Sequence, residues 1–289
     1  MEIIKATAKR GIELKGAMYG SLSCDSVVVM LTGICSNVFQ NDLLDSTGKL
    51  LEQNGIATII AHASDSFSCL AYTDYSIGKQ RHLGVFNDEF EMVFEDVETW
   101  VLKAKELGFK NIILAGHSLG SNKIINYLGN TTDDFVDYFI VSSPIDIMHW
   151  WSVMPNINKC FNMAESWVKE GRGDDILPFL FGGFSPMTAR TVLGFYNTNN
   201  LKNCPVLSKI GETNSLFNIK PDGSFVIGSK DSVTGDSPKK FMEQLNNWTK
   251  NPKLNQVIEV EGASHIFYNM QETYAKTILD CIQKHFLKK

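Results

Sequence analysis

The sequence has no apolar run long enough to cross a bilayer. The most apolar stretch of its first part, residues 27–31, is far short of the roughly 20 residues that a spanning helix needs. It opens on Met1-Glu2-Ile3-Ile4-Lys5, without the basic start and apolar stretch of a secretory leader. A cytoplasmic protein with no membrane partner is the expectation. The six cysteines (Cys24, Cys35, Cys69, Cys160, Cys204 and Cys281) are scattered, with no CxxC pair and no Cys/His metal spacing. They read as free thiols in a reducing compartment rather than as a disulfide framework or a metal site. Basic blocks are also missing. The 27 Lys+Arg against 32 Asp+Glu give a net charge of -5, and a chain without a basic face is a poor candidate for a nucleic-acid partner. Internal repeats and low-complexity segments are absent too.

What remains is an ordinary globular composition, 44% hydrophobic and 20% charged over 289 residues. That length fits two domains, or one α/β domain carrying an insertion. Residues 2–8 and 11–19 read as two short strands joined by a turn at Lys9-Arg10-Gly11. Residues 26–31 form a continuous β-branched run, as in a parallel strand buried on both faces. A polar loop comes next, Thr32-Gly33-Ile34-Cys35-Ser36-Asn37, and then a helix over 39–54 that Gly55 closes. The alternation continues with a strand at 56–61, a helix at 86–107, a strand at 111–115, a helix at 118–128 and a strand at 136–141. Strands and helices in this rhythm predict an α/β fold, a doubly wound and mostly parallel sheet with helices on both faces. The rhythm breaks between Pro144 and Cys204, among tryptophans, phenylalanines, prolines and glycines. Residues 145–204 are expected to be an insertion folded over the sheet, dividing a core made of 1–144 and 205–289. A strand at 224–228, a helix at 238–249, a strand at 255–260 and a helix at 271–286 complete the pattern, with 206–217 ambiguous.

The strongest chemical signal is Gly116-His117-Ser118-Leu119-Gly120, set between a predicted strand and a predicted helix. A turn that tight has no room for side chains at its flanks, hence the glycines, and it lifts the Ser118 hydroxyl clear of the sheet edge. The helix N-terminus there offers unpaired N–H groups and the positive end of its dipole. An ordinary tight turn occupied by a serine is the bland alternative.

With this elbow in place, the chain resembles the α/β-hydrolase superfamily over nearly its whole length, residues 27–286, with 145–204 at the position of an inserted cap. The resemblance implies a serine nucleophile at Ser118 and a catalytic base at His265, in the loop Glu261-Gly262-Ala263-Ser264-His265 after the last predicted strand. It also implies a carboxylate between them in the chain, to hold the imidazole tautomer. Asp231, in Gly228-Ser229-Lys230-Asp231, matches that loop. Residues 205–214 look similar but would put Asn214 at the acid's place, and Glu212 and Asp222 are the other candidates. The oxyanion would be held by the backbone N–H of Leu119 and that of Ile34, or of Cys35 if the loop turns one residue later. Gly33 would permit close backbone approach there or simply serve a turn. His117 would point away from the reaction. His62 is a candidate to line the pocket, while His82, His149 and His285 have no comparable setting.

Trp150, Trp151 and Trp167 read either as a wall for an apolar substrate or as the insertion's own small core, with an apolar pocket expected near Ser118. The activity implied is cleavage of a small-molecule ester, thioester or amide through an acyl-enzyme, without metal or organic cofactor. Acyl transfer with the same residues is the alternative, and a non-catalytic binding protein a more distant one. A homodimer is compatible with the sequence.

Overall fold

The β-branched run at 26–31 becomes a strand with every side chain buried, because its alternate residues enter two separate cores. Val27, Val29 and Leu31 face one side, and Val28 and Met30 the other. This is a computed structural model that describes residues 1–181, 183, 185–196, 215–235 and 237–287. In chain order the core begins β1 (Glu2–Thr7), β2 (Glu13–Tyr19), β3 (Ser26–Leu31), α1 (Asp42–Gln53), β4 (Ala57–Ala61), β5 (Leu70–Asp74), β6 (Lys79–Leu83), α2 (Val93–Glu106), β7 (Asn111–His117), α3 (Leu119–Asn130) and β8 (Tyr138–Ser142). After β8 come α4 (Ile147–Ser152), α5 (Ile157–Lys169), β9 (Ile176–Phe181), β10 (Ser185–Thr188), α6 (Ala189–Tyr196) and α7 (Ser215–Asn218). The chain then returns as β11 (Asp222–Lys230), α8 (Pro238–Asn247), β12 (Gln256–Ser264) and α9 (Gln271–Cys281).

Eight strands form one sheet in the order β1-β2-β4-β3-β7-β8-β11-β12. β1 and β2 pair antiparallel, β2 meets β4 antiparallel, and every pairing from β4 to β12 is parallel. Val29 of β3 sits between Ile59 of β4 and Leu114 of β7. One core joins Val29 and Leu114 to Val97 and Trp100 of α2, Ile124 and Leu128 of α3 and Phe241 of α8. The other joins Met30 and Ile113 to Leu44 and Leu51 of α1 and to Tyr274 and Ile278 of α9. Helices therefore cover both faces, and the sheet is doubly wound and mostly parallel as its apolar runs require.

Several boundaries differ from the sequence expectation. The helix foreseen from residue 86 begins only at Val93. Asn87 accepts the Gly84 N–H through its side chain at 3.1 Å and donates to the His82 carbonyl at 3.1 Å, and Asp88 is extended, so the chain is turned before the helix can start. The antiparallel pair β5–β6 has no counterpart in the sequence reading. Residues 79–82 of β6 are all exposed, so no apolar alternation marks it. Of the ambiguous stretch 206–217, residues 206–214 lie outside the described residues, among them the alternative acid Glu212 and the Asn214 that would stand at the acid's place, and α7 packs against α3. The segment between β8 and β11 carries an aromatic cluster in which Trp151 meets Phe181, Phe161 and Phe195 at ring-centroid distances of 4.5, 5.5 and 5.6 Å. Among the described residues no helix is long and apolar enough to cross a membrane, and no cluster of three or more His, Cys, Asp or Glu could hold a metal ion.

Because β7 is the strand that delivers Ser118, its packing sets the rigidity of the bend at that residue. Ile113→Ala, at a fully buried position of β7, is expected to lower the unfolding free energy by about 2–5 kcal/mol, read from urea unfolding followed by circular dichroism.

Candidate active site

A single residue separates β7 from α3. Ser118 adopts φ 57° and ψ -130°, a backbone conformation that L-residues rarely enter and that surrounding structure must hold. A Cβ on Gly116 would fall 2.4 Å from the Gly120 carbonyl oxygen, and one on Gly120 would fall 2.3 Å from that of Leu31. Both positions exclude any side chain, so the sequence allows the bend only with glycine at each. The Ser118 N–H donates to the Ser142 carbonyl at 3.0 Å, tying the bend to β8. The Ser121 hydroxyl lies 2.8 Å from the Gly116 carbonyl and 2.7 Å from that of Ser142, and braces the bend from α3.

Because β7, β11 and β12 are parallel strands of one sheet, their C-terminal ends share one edge, and the residues after them meet there. Asp231 directly follows β11 and His265 directly follows β12. His265 Nε2 lies 3.0 Å from Ser118 Oγ, and its Nδ1 lies 3.0 Å from Asp231 Oδ2. The other Asp231 oxygen accepts the Val233 N–H at 3.0 Å. Burial pushes the Asp231 carboxyl up, but the hydrogen bond and charge of His265, aided by the Val233 N–H, outweigh it and hold the group below its ordinary value. Asp222 opens β11 at the opposite end. At a rise of about 3.3 Å per residue, the nine residues to Asp231 put it roughly 30 Å from the site.

His117 is buried beside these groups, with its Nε2 2.8 Å from the His265 carbonyl. Its ring is packed among His265, Phe267 and Tyr274. Burial, and after it the neighbouring His265, pushes the His117 pKa down to about 4. The neutral ring donates Nε2–H to the carbonyl and so pins the backbone that carries His265.

The loop after β3 supplies the other side of the site. Gly33 does not line the cavity. It backs onto the serine, where a Cβ would lie 3.1 Å from Ser118 Cβ. The Cys35 N–H is already donated to the Asp65 carbonyl at 3.2 Å. Among the described residues the N–H groups of Ile34 and Leu119 donate to nothing. Of the two candidates in this loop, Ile34 is thus the one with a free donor. The Cys35 thiol faces the cavity 3.5 Å from the Ser68 hydroxyl, and burial pushes its pKa up.

A cavity of about 300 Å³ opens over Ser118 and His265. Ile34, Cys35, Leu119, Val233 and Ile266 of the core line it, and Ile145, Ile147, Trp150, Trp151, Phe181, Met187 and Phe195 are the wall contributed by the segment after β8. Among the described residues no Asp, Glu, Lys or Arg side chain lines it. Trp150 and Trp151 both line the cavity, and Trp151 belongs to the aromatic cluster as well. Trp167 lies elsewhere, stacked on the Arg172 guanidinium 3.9 Å away. His62 does not reach the cavity either. It is buried, and its Nε2 accepts the Val38 N–H at 3.1 Å.

Compared by sequence, the chain matches no family model and no curated protein. Compared by structure, it superposes over nearly its full length on several solved enzymes. It shares 15% identity with the alpha/beta hydrolase GrgF from Penicillium sp. sh18, at a TM-score of 0.69 with 99% of each chain covered. It shares 13% identity with Est1E from Butyrivibrio proteoclasticus, at a TM-score of 0.60, covering 98% of this chain and 100% of that one. It shares 16% identity with the esterase Pf2001 from Pyrococcus furiosus, at a TM-score of 0.60, covering 98% of this chain and 90% of that one. This chain has the α/β-hydrolase fold.

Within the α/β-hydrolase fold, the structure brings Ser118, His265, Leu119, Ile34, Cys35, Trp150 and Trp151 around one cavity, with Asp231 buried behind His265 and Gly33 directly behind the serine. Sequence reasoning missed most of the wall, Ile145, Ile147, Met187 and Phe195 among it. These residues share no spacing signal, because they come from different pieces of chain: Ile145 from the loop after β8, Ile147 from α4, Met187 from β10 and Phe195 from α6. It also missed the bond from His117 to the His265 carbonyl, which depends on residues 148 positions apart.

Two buried histidines make stability depend on pH. Burial, with a smaller contribution from Lys123, also lowers the His62 pKa to about 4. Between the ordinary value of 6.5 and about 4, the unfolded chain binds protons at His62 and His117 that the folded chain does not. Stability from this source is therefore complete above 6.5 and is lost as the pH falls toward 4, by about 3 kcal/mol per histidine. Urea unfolding across that window is expected to show the loss. The double variant His62→Gln/His117→Gln, less stable at neutral pH, is expected to show a shallower slope. An equal slope in both proteins would refute the assignment.

Proposed function

We propose that this chain is a serine hydrolase that cleaves a carboxylic ester, thioester or amide by way of an acyl-enzyme on Ser118. The observation that carries the reading is the continuous hydrogen-bonded line from Asp231 through His265 to Ser118, ending at an apolar cavity with two unengaged N–H groups beside the serine. Serine at neutral pH is a weak nucleophile and needs a base in contact. His265 takes the Ser118 proton as Oγ attacks the acyl carbon, and Asp231 holds the ring with Nδ1 protonated and balances the positive charge that forms. The N–H groups of Leu119 and Ile34 receive the negative oxygen, each contributing about 3 kcal/mol in comparable enzymes. His265 then gives its proton to the leaving group, and water repeats the sequence on the acyl-enzyme. No step calls on a metal or organic cofactor.

The cavity wall indicates the kind of group accommodated. With no Asp, Glu, Lys or Arg among its described lining residues, it suits a neutral, apolar acyl or alcohol portion and would leave a charged one unpaired. In this reading the segment after β8 serves as the cap that supplies the wall. That several structural relatives carry the name esterase supports ester cleavage as the first choice. The apolar wall also favours a second reading, acyl transfer, in which a bound alcohol or amine replaces water as the acceptor because little water is held near the acyl-enzyme.

A panel of chromogenic esters, thioesters and amides of graded acyl length, run with and without an added alcohol, separates these readings. Short to medium apolar acyl esters are expected to turn over best, and the ratio of new ester to free acid reports transfer against hydrolysis. A fluorophosphonate probe is expected to label the wild type and not Ser118→Ala. Equal turnover by Ser118→Ala and wild type would end the mechanism. Asp231→Asn, which withdraws the charge and allows the wrong imidazole tautomer, is expected to lower kcat by about 10⁴-fold with little change in KM. Asp222→Asn, at the far end of β11, is expected to leave both unchanged.

A further inference from the structure

Against the loop after β3 lies an ion pair that the proposed acyl chemistry does not use. Lys123 stands on α3, five residues after Ser118. Its ammonium meets the Asp65 carboxylate, and both side chains are fully buried. The same ammonium donates a second hydrogen bond, of 3.1 Å, to the carbonyl of Thr32. That carbonyl belongs to the first residue of the loop that carries Gly33 and Ile34. The loop is held from the Asp65 side as well. The Cys35 N–H donates to the Asp65 carbonyl at 3.2 Å, and the Thr32 hydroxyl lies 2.7 Å from that of Ser66, which accepts the Ala63 N–H at 2.9 Å.

Stability alone is a poor reason for such a pair. Desolvating two charges is costly, and well-packed apolar residues of the same volume commonly stabilise a core as much or more. The placement supplies another reason. α3 begins at the residue after Ser118, and its first turn touches the loop backbone so closely that a Cβ on Gly120 would fall 2.9 Å from the Thr32 carbonyl oxygen. Lys123 therefore joins three pieces of chain that the sheet does not hydrogen-bond to one another there: the helix behind the nucleophile, the loop with the free Ile34 N–H, and the loop after β4.

Resting on the reading of Ser118 as nucleophile, we propose that Lys123, held by Asp65, is a positioning residue that locks the Thr32 carbonyl to the nucleophile helix and so keeps the Ile34 N–H aimed at the substrate's carbonyl oxygen. With the Thr32–Gly33 peptide held by Lys123 on one side and the Ile34–Cys35 peptide held by the Asp65 carbonyl on the other, the intervening peptide that carries the Ile34 N–H is bracketed at both ends. That aim matters most once the oxygen carries negative charge, so its loss appears in the chemical step and not in binding of the neutral ester.

The test compares wild type, Ser118→Ala, Lys123→Met and the double variant Lys123→Met/Asp65→Leu. Each is assayed for kcat and KM on the best ester of the panel, for Tm, and for inhibition by an alkyl trifluoromethyl ketone. Ser118 Oγ adds to that ketone's carbonyl carbon, the proton passes to His265, and the ketone oxygen becomes an anion in the place of the substrate's. Lys123→Met is expected to lower kcat by about 10²-fold, the scale of losing one oxyanion donor, with KM within about twofold and ketone affinity reduced in parallel with kcat. The double variant leaves no unpaired buried charge, so its Tm is expected to recover toward wild type while kcat and ketone affinity stay low. Should Lys123→Met fail to fold, the double variant decides alone. Recovery of kcat and ketone affinity along with Tm in the double variant would overturn the proposal, as would a Lys123→Met protein with wild-type kcat and ketone affinity. In both cases an active wild type and an inactive Ser118→Ala would leave the hydrolase reading standing. A wild type that neither turns over an ester nor forms the ketone adduct would overturn the hydrolase reading and this proposal with it.

Discussion

The site depends on one residue of backbone held in a conformation it would not adopt alone. Ser118 turns the chain from β7 into α3 in a single step at positive φ, and the turn closes only because Gly116 and Gly120 let backbone approach backbone where any Cβ would collide. The strain is offset by its surroundings. The bend is tied to β8 through the Ser118 N–H and braced by Ser121, and the two flanking elements are sunk in the core. The return is geometric, because the hydroxyl projects from the C-terminal edge of the sheet beside the first free N–H of a helix.

Every other part of the site is arranged around that hydroxyl by parallel topology. β11 and β12 end at the same edge as β7, so Asp231 and His265, thirty-four residues apart in the chain, reach the serine as neighbours in a line. Support comes from groups with no place in the proposed chemistry. Neutral His117 holds the carbonyl of His265 from below, and Lys123 with Asp65 holds the loop of Ile34 from behind. Buried polar groups of this kind restrict the backbone more narrowly than apolar packing does, since a hydrogen bond has direction as well as contact. The described part of the segment between β8 and β11 adds the apolar wall and its aromatic cluster.

The sequence reading and the structure part company for identifiable reasons. The elbow was legible because its glycines and its strand–helix setting are local, and the parallel sheet because short apolar strands, β3 most plainly, alternate with helical stretches. The late start of α2 was not, since Asn87 turns the chain through side-chain bonds to Gly84 and His82 that leave no mark in hydrophobic periodicity. The β5–β6 pair escaped because its second strand is polar and exposed. Cys35 and Ile34 remained alternatives until the bond from Cys35 to Asp65 became visible, since spacing cannot say which of two adjacent N–H groups is already engaged.

By itself the sequence determined the kind of sheet, the alternation of its core strands and helices, the bend at Ser118 and the residue types able to act there, because these arise from side-chain period, glycine placement and intrinsic chemistry. Only the tertiary structure decided which carboxylate meets His265, which loop N–H is left free, what lines the cavity, and that a buried lysine stands under the loop. Each of those is a matter of distance between residues far apart in the chain, and distance of that kind arises only when the sheet brings its strand ends to one edge.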